Sequence, residues 1–275
     1  GEPAIHNGAD DNASGIALIL QLAKDLASSN NKGYNYVFIA FSGEELGLYG
    51  SKSAAEKLLD KDACYNYMLN FDMVGRLDST RQLIVNGFGT SGAWSKLESL
   101  AKAQQFQLKT FESGIGPSDH TSFYLKQIPV LHFFTGSHSD YHKPTDDADK
   151  VNAEGIADIE LLVRSLIADL DDEPQIDYIK TKEDTNEDAP RFTVTMGVIP
   201  DYAYEGRGMR IDGVSDGKPA AAAGIQAGDV VINLGGYDVA DMMGYMKALS
   251  KFKAGDATTV TFIRNEATME KPIQF

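Results

Sequence analysis

Cationic residues are scarce in this sequence: 25 lysines and arginines stand against 40 aspartates and glutamates, a formal charge of −15. Such an excess repels a phosphate backbone or an anionic bilayer, so neither nucleic acid nor a membrane surface is expected as a partner. Cysteine is nearly absent as well. The single Cys64 excludes an internal disulfide, reads as buried strand packing, and does not decide between cytoplasm and periplasm. No run of 18 apolar residues occurs, which excludes a transmembrane helix. The chain opens directly on GEPAIHNGADD, with no signal peptide, and a start so close to a polar cluster reads as a fragment of a longer gene product.

What is present suffices for real cores. The chain has 275 residues, 43% of them apolar, enough for one large domain and a small one. Ser14 can cap a helix over 14–29, with Ile16, Ile19, Leu20, Ala23 and Leu26 as its apolar stripe. YNYVFIAFS reads as a strand covered on both faces, followed by a helix over about 47–59. CYNYMLNFDMVG, RQLIVNG and QIPVLHFF read as further strands, with helices over 91–105 and through VNAEGIADIELLVRSLIADL. This alternation predicts an α/β sandwich on a parallel or mostly parallel sheet. Residues 171–191 hold eight acidic residues, three basic ones and two prolines, and read as a linker with one short strand near 176–179. Short strands in RFTVTMGVIPDY, GMRIDGV, DVVINLGG and ATTVTFIRN, with one helix in VADMMGYMKALSKF, then make a small, mainly β domain. The expected division is 1–170, 171–190 and 191–275.

In open α/β sheets, binding groups gather beyond the carboxyl ends of the strands. Glu44, Glu45, Asp72 and the polar run after Phe134 all fall there. Each has a bland reading alone: Asp10 and Asp11 can complement a helix dipole, Glu44 and Glu45 can start a helix, and His142 can sit in a surface loop. Asp72 resists that reading, because it interrupts an apolar strand end where an unpaired carboxylate is costly. Together, Asp11, Glu45, Asp72 and His142 are the residue types that hold a borderline-soft divalent ion such as zinc. Glu44, beside a ligand but itself free, can take a proton from activated water. No GxSxG occurs, so Ser118 has no serine-hydrolase setting.

GADDNASG, SGEELGLYGS, NFDMVG, SDHTSF and YHKPTDD, in this order, resemble the co-catalytic zinc aminopeptidases of metallopeptidase family 28 over about residues 1–170. The resemblance implies a three-layer sandwich of the zinc-exopeptidase type and release of N-terminal residues from a peptide with a free amine. It makes Asp11 a bridging ligand, Glu44 the general base, and Glu45, Asp72 and His142 ligands, with Tyr141 donating its hydroxyl to the tetrahedral intermediate. By that pattern Asp11, Glu45 and His142 surround one zinc, while Asp11, Asp72 and an upstream histidine hold a second. The upstream His-x-Asp element is absent, and His6 lacks the following Asp. Two zinc ions are therefore expected in the intact enzyme, and one or none in this chain; several early strands of the family sheet are expected to be absent too. The resemblance also favours an extracytoplasmic, bacterial periplasmic location. Asp119 and His120 suit either the cleft or a helix-capping turn, His132 reads as a satisfied strand histidine, and His138 stays open.

KPAAAAGIQAGDVVINLGGYDVADMMGYMKAL resembles a PDZ domain of the kind appended to bacterial proteases, which implies binding of an extended peptide as an added strand beside the helix 241–249. Met242, Met243 and Met246 suit either that groove or the domain's own core. Two other readings remain: glutaminyl-cyclase-like acyl transfer on the same fold, and a binding protein that has lost catalysis.

Overall fold

The computed structural model describes residues 4–31, 33–58, 65–181, 194–201, 204, 206–215 and 217–275. The chain divides into two compact units, Gly1–Asp184 and Thr185–Phe275.

In the first unit, Leu18, Leu22 and Leu26 recur every fourth residue and bury one face of helix α1 (Gly15–Ser28). The predicted stripe meets this face only in part: Leu26 is buried and Ile19 packs on the core, but Leu20 is 65% exposed and Ile16 is also exposed. Helix α2 is Tyr49–Leu58. Strands β1 (Met68–Phe71), β2 (Gln82–Asn86), β3 (Gln107–Phe111) and β4 (Val130–Phe134) alternate with helices α3 (Ser95–Ala103), α4 (His120–Tyr124) and α5 (Ala153–Leu170). They form one sheet in the order β1-β4-β2-β3. β1–β4 and β2–β3 are parallel, and β2–β4 is antiparallel. Leucines and isoleucines of α1, α3 and α5 share a core with β1, β2 and β4. Phe123 and Tyr124 of α4 join Ala55 of α2 and Val130 in a second core. The result is the expected three-layer sandwich, and β4 is buried along its whole length.

Two expectations need correction. Residues 35–41 pair with no strand among the described residues, and Val37 is 63% exposed. A strand buried on both faces needs neighbours to supply its ladder, and among the described residues β1 pairs only with β4. Residues 171–181 are not a free linker. Ile176 is buried in the main core and its amide donates to Asn66 Oδ1 at 2.8 Å. Asp177 accepts from the Ser91 hydroxyl at 2.7 Å, and the Ile179 amide donates to Thr90 O at 2.8 Å. The Ile176 and Ile179 amides thus find partners without a sheet. Cys64 and the acidic stretch 182–193 lie outside the described residues. Among the described residues no helix is long and apolar enough to cross a membrane.

The second unit is an antiparallel sheet in the order β10-β9-β7-β6-β5, with β8 paired to β7. Its strands are β5 (Val198–Pro200), β6 (Met209–Val214), β7 (Val230–Leu234), β8 (Tyr237–Asp238), β9 (Ala257–Arg264) and β10 (Ala267–Gln274). Helices α6 (Pro219–Ala222) and α7 (Met242–Leu249) complete it. Val231, Leu234, Val260, Phe262 and Ile273 form its core, against which Met242 and Met246 pack. Buried Asp229 is held by Arg264, whose Nε and Nη2 each donate at 2.6 Å.

Candidate metal centre

Parallel β1 and β4 deliver their carboxyl ends side by side, so Asp72 leaves β1 next to the 135–147 loop that follows β4. The loop before α1 and the turn after residue 41 bring Asp11, Glu44 and Glu45 to the same cleft. That cleft has a volume of about 910 Å³, and Asp72 and Asp119 also line it. Asp11, Glu45 and His142 each offer a ligand atom within 4.8 Å of the others. His142 Nε2 lies 2.8 Å from Glu45 Oε1 and 3.2 Å from Asp11 Oδ2. His142 itself sits at φ 55, a left-handed backbone uncommon outside glycine. The Tyr141 ring stacks on its imidazole with centroids 3.7 Å apart. Asp72 stands outside this trio, accepting from the Ser118 hydroxyl at 2.7 Å.

The electrostatics are those of a site short of positive charge. Burial pushes Glu44 up to about 9, reinforced by Asp72, Glu45, Asp119 and Asp11. Burial also raises Asp72, to about 7, with Ser118 opposing and Asp11 reinforcing. Asp11 is raised by burial, although its hydrogen bond to His142 opposes the shift. Burial pulls His142 down, but the Asp11 and Glu45 carboxylates outweigh it and push the imidazole up to about 10. A proton on His142 thus holds two carboxylates together. Two carboxylates and an imidazole nitrogen, with ligand atoms within 4.8 Å of one another, are a donor set that suits a zinc ion in that proton's place.

A profile of peptidase family M28 matches residues 2–167, more than half of the chain. The chain belongs to peptidase family M28. A PDZ-domain profile matches residues 181–273, so the resemblances drawn from the motifs hold for both units. Aminopeptidase YwaD of Bacillus subtilis is 32% identical over 158 residues, covering 54% of this chain and 34% of its own length. A solved structure of a zinc aminopeptidase from Bacillus subtilis superposes on the M28 unit with a TM-score of 0.52 at 27% identity, covering 66% of this chain and 45% of that one. The LapA aminopeptidase of Legionella pneumophila, at 24% identity and a TM-score of 0.53, shares the fold over 61% of this chain and 48% of its own. The chain therefore spans about a third to a half of these relatives.

Several residues around the trio lie inside or beside the motifs without standing out in them. Asp10, which reads from sequence as a cap, is fully buried, accepting from the Gly75 amide at 2.7 Å and lying 3.0 Å from His138 Nε2. Asp146 and Arg76 brace the Asp11 loop. Ser118 receives a hydrogen bond from Asn70 Nδ2 at 2.7 Å while donating to Asp72. The doubled aspartates of GADD and KPTDD carried the available signal for Asp10 and Asp146. Asp119 Oδ1 is buried with no hydrogen-bond partner among the described residues.

His120 and His132 belong to the core. Their rings stack 4.7 Å apart, and His132 Nδ1 lies 3.2 Å from Asn86 Nδ2 while its Nε2 has no partner among the described residues. Burial pushes His132 down to about 3 from an ordinary 6.5. The sign follows directly. Above 6.5 neither folded nor unfolded chain carries the proton, and below it only the unfolded chain does, so stability drains as pH falls from 6.5 toward 3. Relative to a His132→Phe variant, the unaltered chain is expected to lose about 2 kcal/mol between pH 7.5 and 5. Urea unfolding of both proteins at the two pH values measures this; parallel profiles would refute the neutral buried imidazole.

Proposed function

We propose that the M28 unit is the catalytic part of a zinc-dependent aminopeptidase, with Glu44 as general base. The carrying observation is the convergence of Asp11, Glu45 and His142 on one point, with Glu44 in the same cleft. Asp11, Glu45 and His142 would hold one zinc ion; Asp11 and Asp72 would contribute to a second in the intact enzyme. Zinc bound there supplies Lewis acidity and lowers the pKa of water toward about 7. Glu44 takes the proton of the attacking water and returns it to the leaving amine. Glu44 is protonated at neutral pH while the carboxylates around it are uncompensated, so its basicity depends on positive charge being present at Asp11, Glu45 and Asp72. The Tyr141 hydroxyl donates to the oxyanion. A free substrate amine finds its counter-charge in the acidic cleft. The PDZ unit binds an extended peptide segment, a role supported by its profile match.

Hydrolysis of an aminoacyl amide by the complete protein tests this reading. Chelation is expected to lower the rate at least about 100-fold, with recovery on adding zinc, and an N-acetylated substrate is expected to resist cleavage. Chelator-insensitive hydrolysis would refute the zinc chemistry, and equal cleavage of the blocked substrate would refute the exopeptidase.

A further inference from the structure

Asp146 stands four residues after His142 and is almost fully buried, with 1% exposure. One oxygen of its carboxylate, Oδ2, accepts the backbone amides of Asp10 at 2.9 Å and Asp11 at 3.0 Å. The other, Oδ1, is met by Arg76 Nη2 at 3.2 Å. The Asp146 carbonyl also accepts from the Ala9 amide at 3.1 Å. Two consecutive amides gripped by one oxygen fix the peptide planes on either side of Asp10 and lead directly into the Asp11 side chain.

We propose that Asp146 is a positioning residue that sets the Asp11 carboxylate against His142. Three loops meet at this carboxylate. Asp11 comes from the loop before α1, Arg76 from the turn that follows Asp72, and Asp146 from the loop that carries His142. Asp10 makes the reciprocal tie, with Oδ1 on the Gly75 amide and Oδ2 beside His138. No side chain fits between them: a Cβ on Gly75 would lie 2.7 Å from Asp10 Oδ1. Arg76 is further held by Asp140 at 3.5 Å, and Asp140 by Lys150 at 2.6 Å. A buried carboxylate that only stabilised the fold would need amides, but not those adjoining a member of the trio. Charge-assisted bonds to backbone N–H groups are strong and directional, so this one acts on orientation as well as stability.

This role rests on Asp11, Glu45 and His142 being zinc ligands, and the two can fail separately. Zinc affinity, by competition with a chromogenic chelator, and thermal stability are measured for the complete protein, unaltered and as Asp146→Ala, Asp146→Asn and Asp177→Ala. Asp177 accepts from the Ser91 hydroxyl and the Gly92 amide and touches none of the trio, so it controls for loss of a structural carboxylate. Asp146→Ala is expected to weaken zinc binding by at least about tenfold. Asp146→Asn, which keeps an acceptor for the amides, is expected to recover part of that loss. Asp177→Ala is expected to lower stability with zinc affinity unchanged. Zinc affinity of Asp146→Ala within twofold of the unaltered protein overturns the proposal. If the complete, unaltered protein takes up no zinc, the ligand reading fails instead. The crystal structure of Asp146→Ala then decides the positioning role: the Asp11–His142 approach of 3.2 Å is expected to be lost, and its retention overturns the proposal.

Discussion

Glutamine in place of Glu44 is expected to lower kcat for aminoacyl-amide hydrolysis by the complete protein by about 10²–10⁴-fold, with zinc content unchanged. The substitution preserves shape and removes only the capacity to accept a proton. Glu44 lies outside the trio of Asp11, Glu45 and His142, so the ligand set survives intact. Glu45→Gln, by contrast, alters a member of that trio and is expected to lose zinc and activity together. The two adjacent glutamates are thus separable by measuring metal content and kcat on the same preparations. A second readout comes from the metal-free chain. Glu44 is pushed up to about 9 in the fold from an ordinary 4.5, so its protonated form is the one the fold favours. That contribution is complete below 4.5 and is lost as pH rises through 9. Glu44→Gln carries no such proton, so the variant is expected to gain stability relative to the unaltered chain at alkaline pH. Retention of kcat within tenfold in Glu44→Gln would remove Glu44 from the mechanism.

The motifs pointed to the candidate site because they are local in sequence and chemically costly. A carboxylate ending the apolar run MLNF demands compensation, and parallel pairing of β1 with β4 brings it beside the His142 loop. What the sequence could not convey was which carboxylates act and which support. Asp10 and Asp11 are neighbours of identical chemistry, yet Asp10 turns inward to the Gly75 amide while Asp11 faces His142. That choice is made by residues about 65 and 130 positions away, beyond any local pattern.

Hydrophobic patterning had a similar reach. It located α1 and two core-facing residues, Ile19 and Leu26, but took exposed Ile16 and Leu20 in place of Leu18 and Leu22, because both sets satisfy helical spacing. Apolar runs identified β4, which is buried throughout, and suggest the same for residues 35–41, which have no ladder among the described residues. Composition records that a run is apolar and leaves unsaid whether a neighbouring strand supplies its hydrogen bonds. Acidic composition misled in the opposite sense at 171–181. Side chains there are charged, but Ile176 and the backbone bonds to Asn66 and Thr90 pack the segment onto the M28 unit. His132, a satisfied strand histidine by its sequence context, finds a partner only at Nδ1 among the described residues.

Alanine in place of Trp94 is expected to cost the M28 unit about 3–5 kcal/mol of stability. Trp94 is the only tryptophan and is fully buried in the main core, edge-on to Tyr67 with ring centroids 5.9 Å apart. Its Nε1 donates to Thr90 Oγ1 at 2.9 Å. That same hydroxyl accepts from the Val130 amide at 3.0 Å, where β4 begins, and the Thr90 carbonyl accepts from Ile179 at 2.8 Å. The indole therefore fills volume and anchors the hub that joins α3, β4 and the 171–181 segment. Truncation forfeits the buried area and leaves a cavity that a rigid sheet cannot close. Trp94→Phe separates the two contributions: it refills most of the volume, drops the hydrogen bond, and is expected to cost about 1 kcal/mol from that bond before any repacking. Zinc affinity is expected to hold in both variants at temperatures where they remain folded, because Trp94 touches none of the trio. Urea unfolding followed by circular dichroism measures the losses. A cost below about 1 kcal/mol for Trp94→Ala would place the centre of the core elsewhere. A loss of zinc affinity in folded Trp94→Phe would instead show that the Thr90 hub and the metal centre are one cooperative unit, joined through β4.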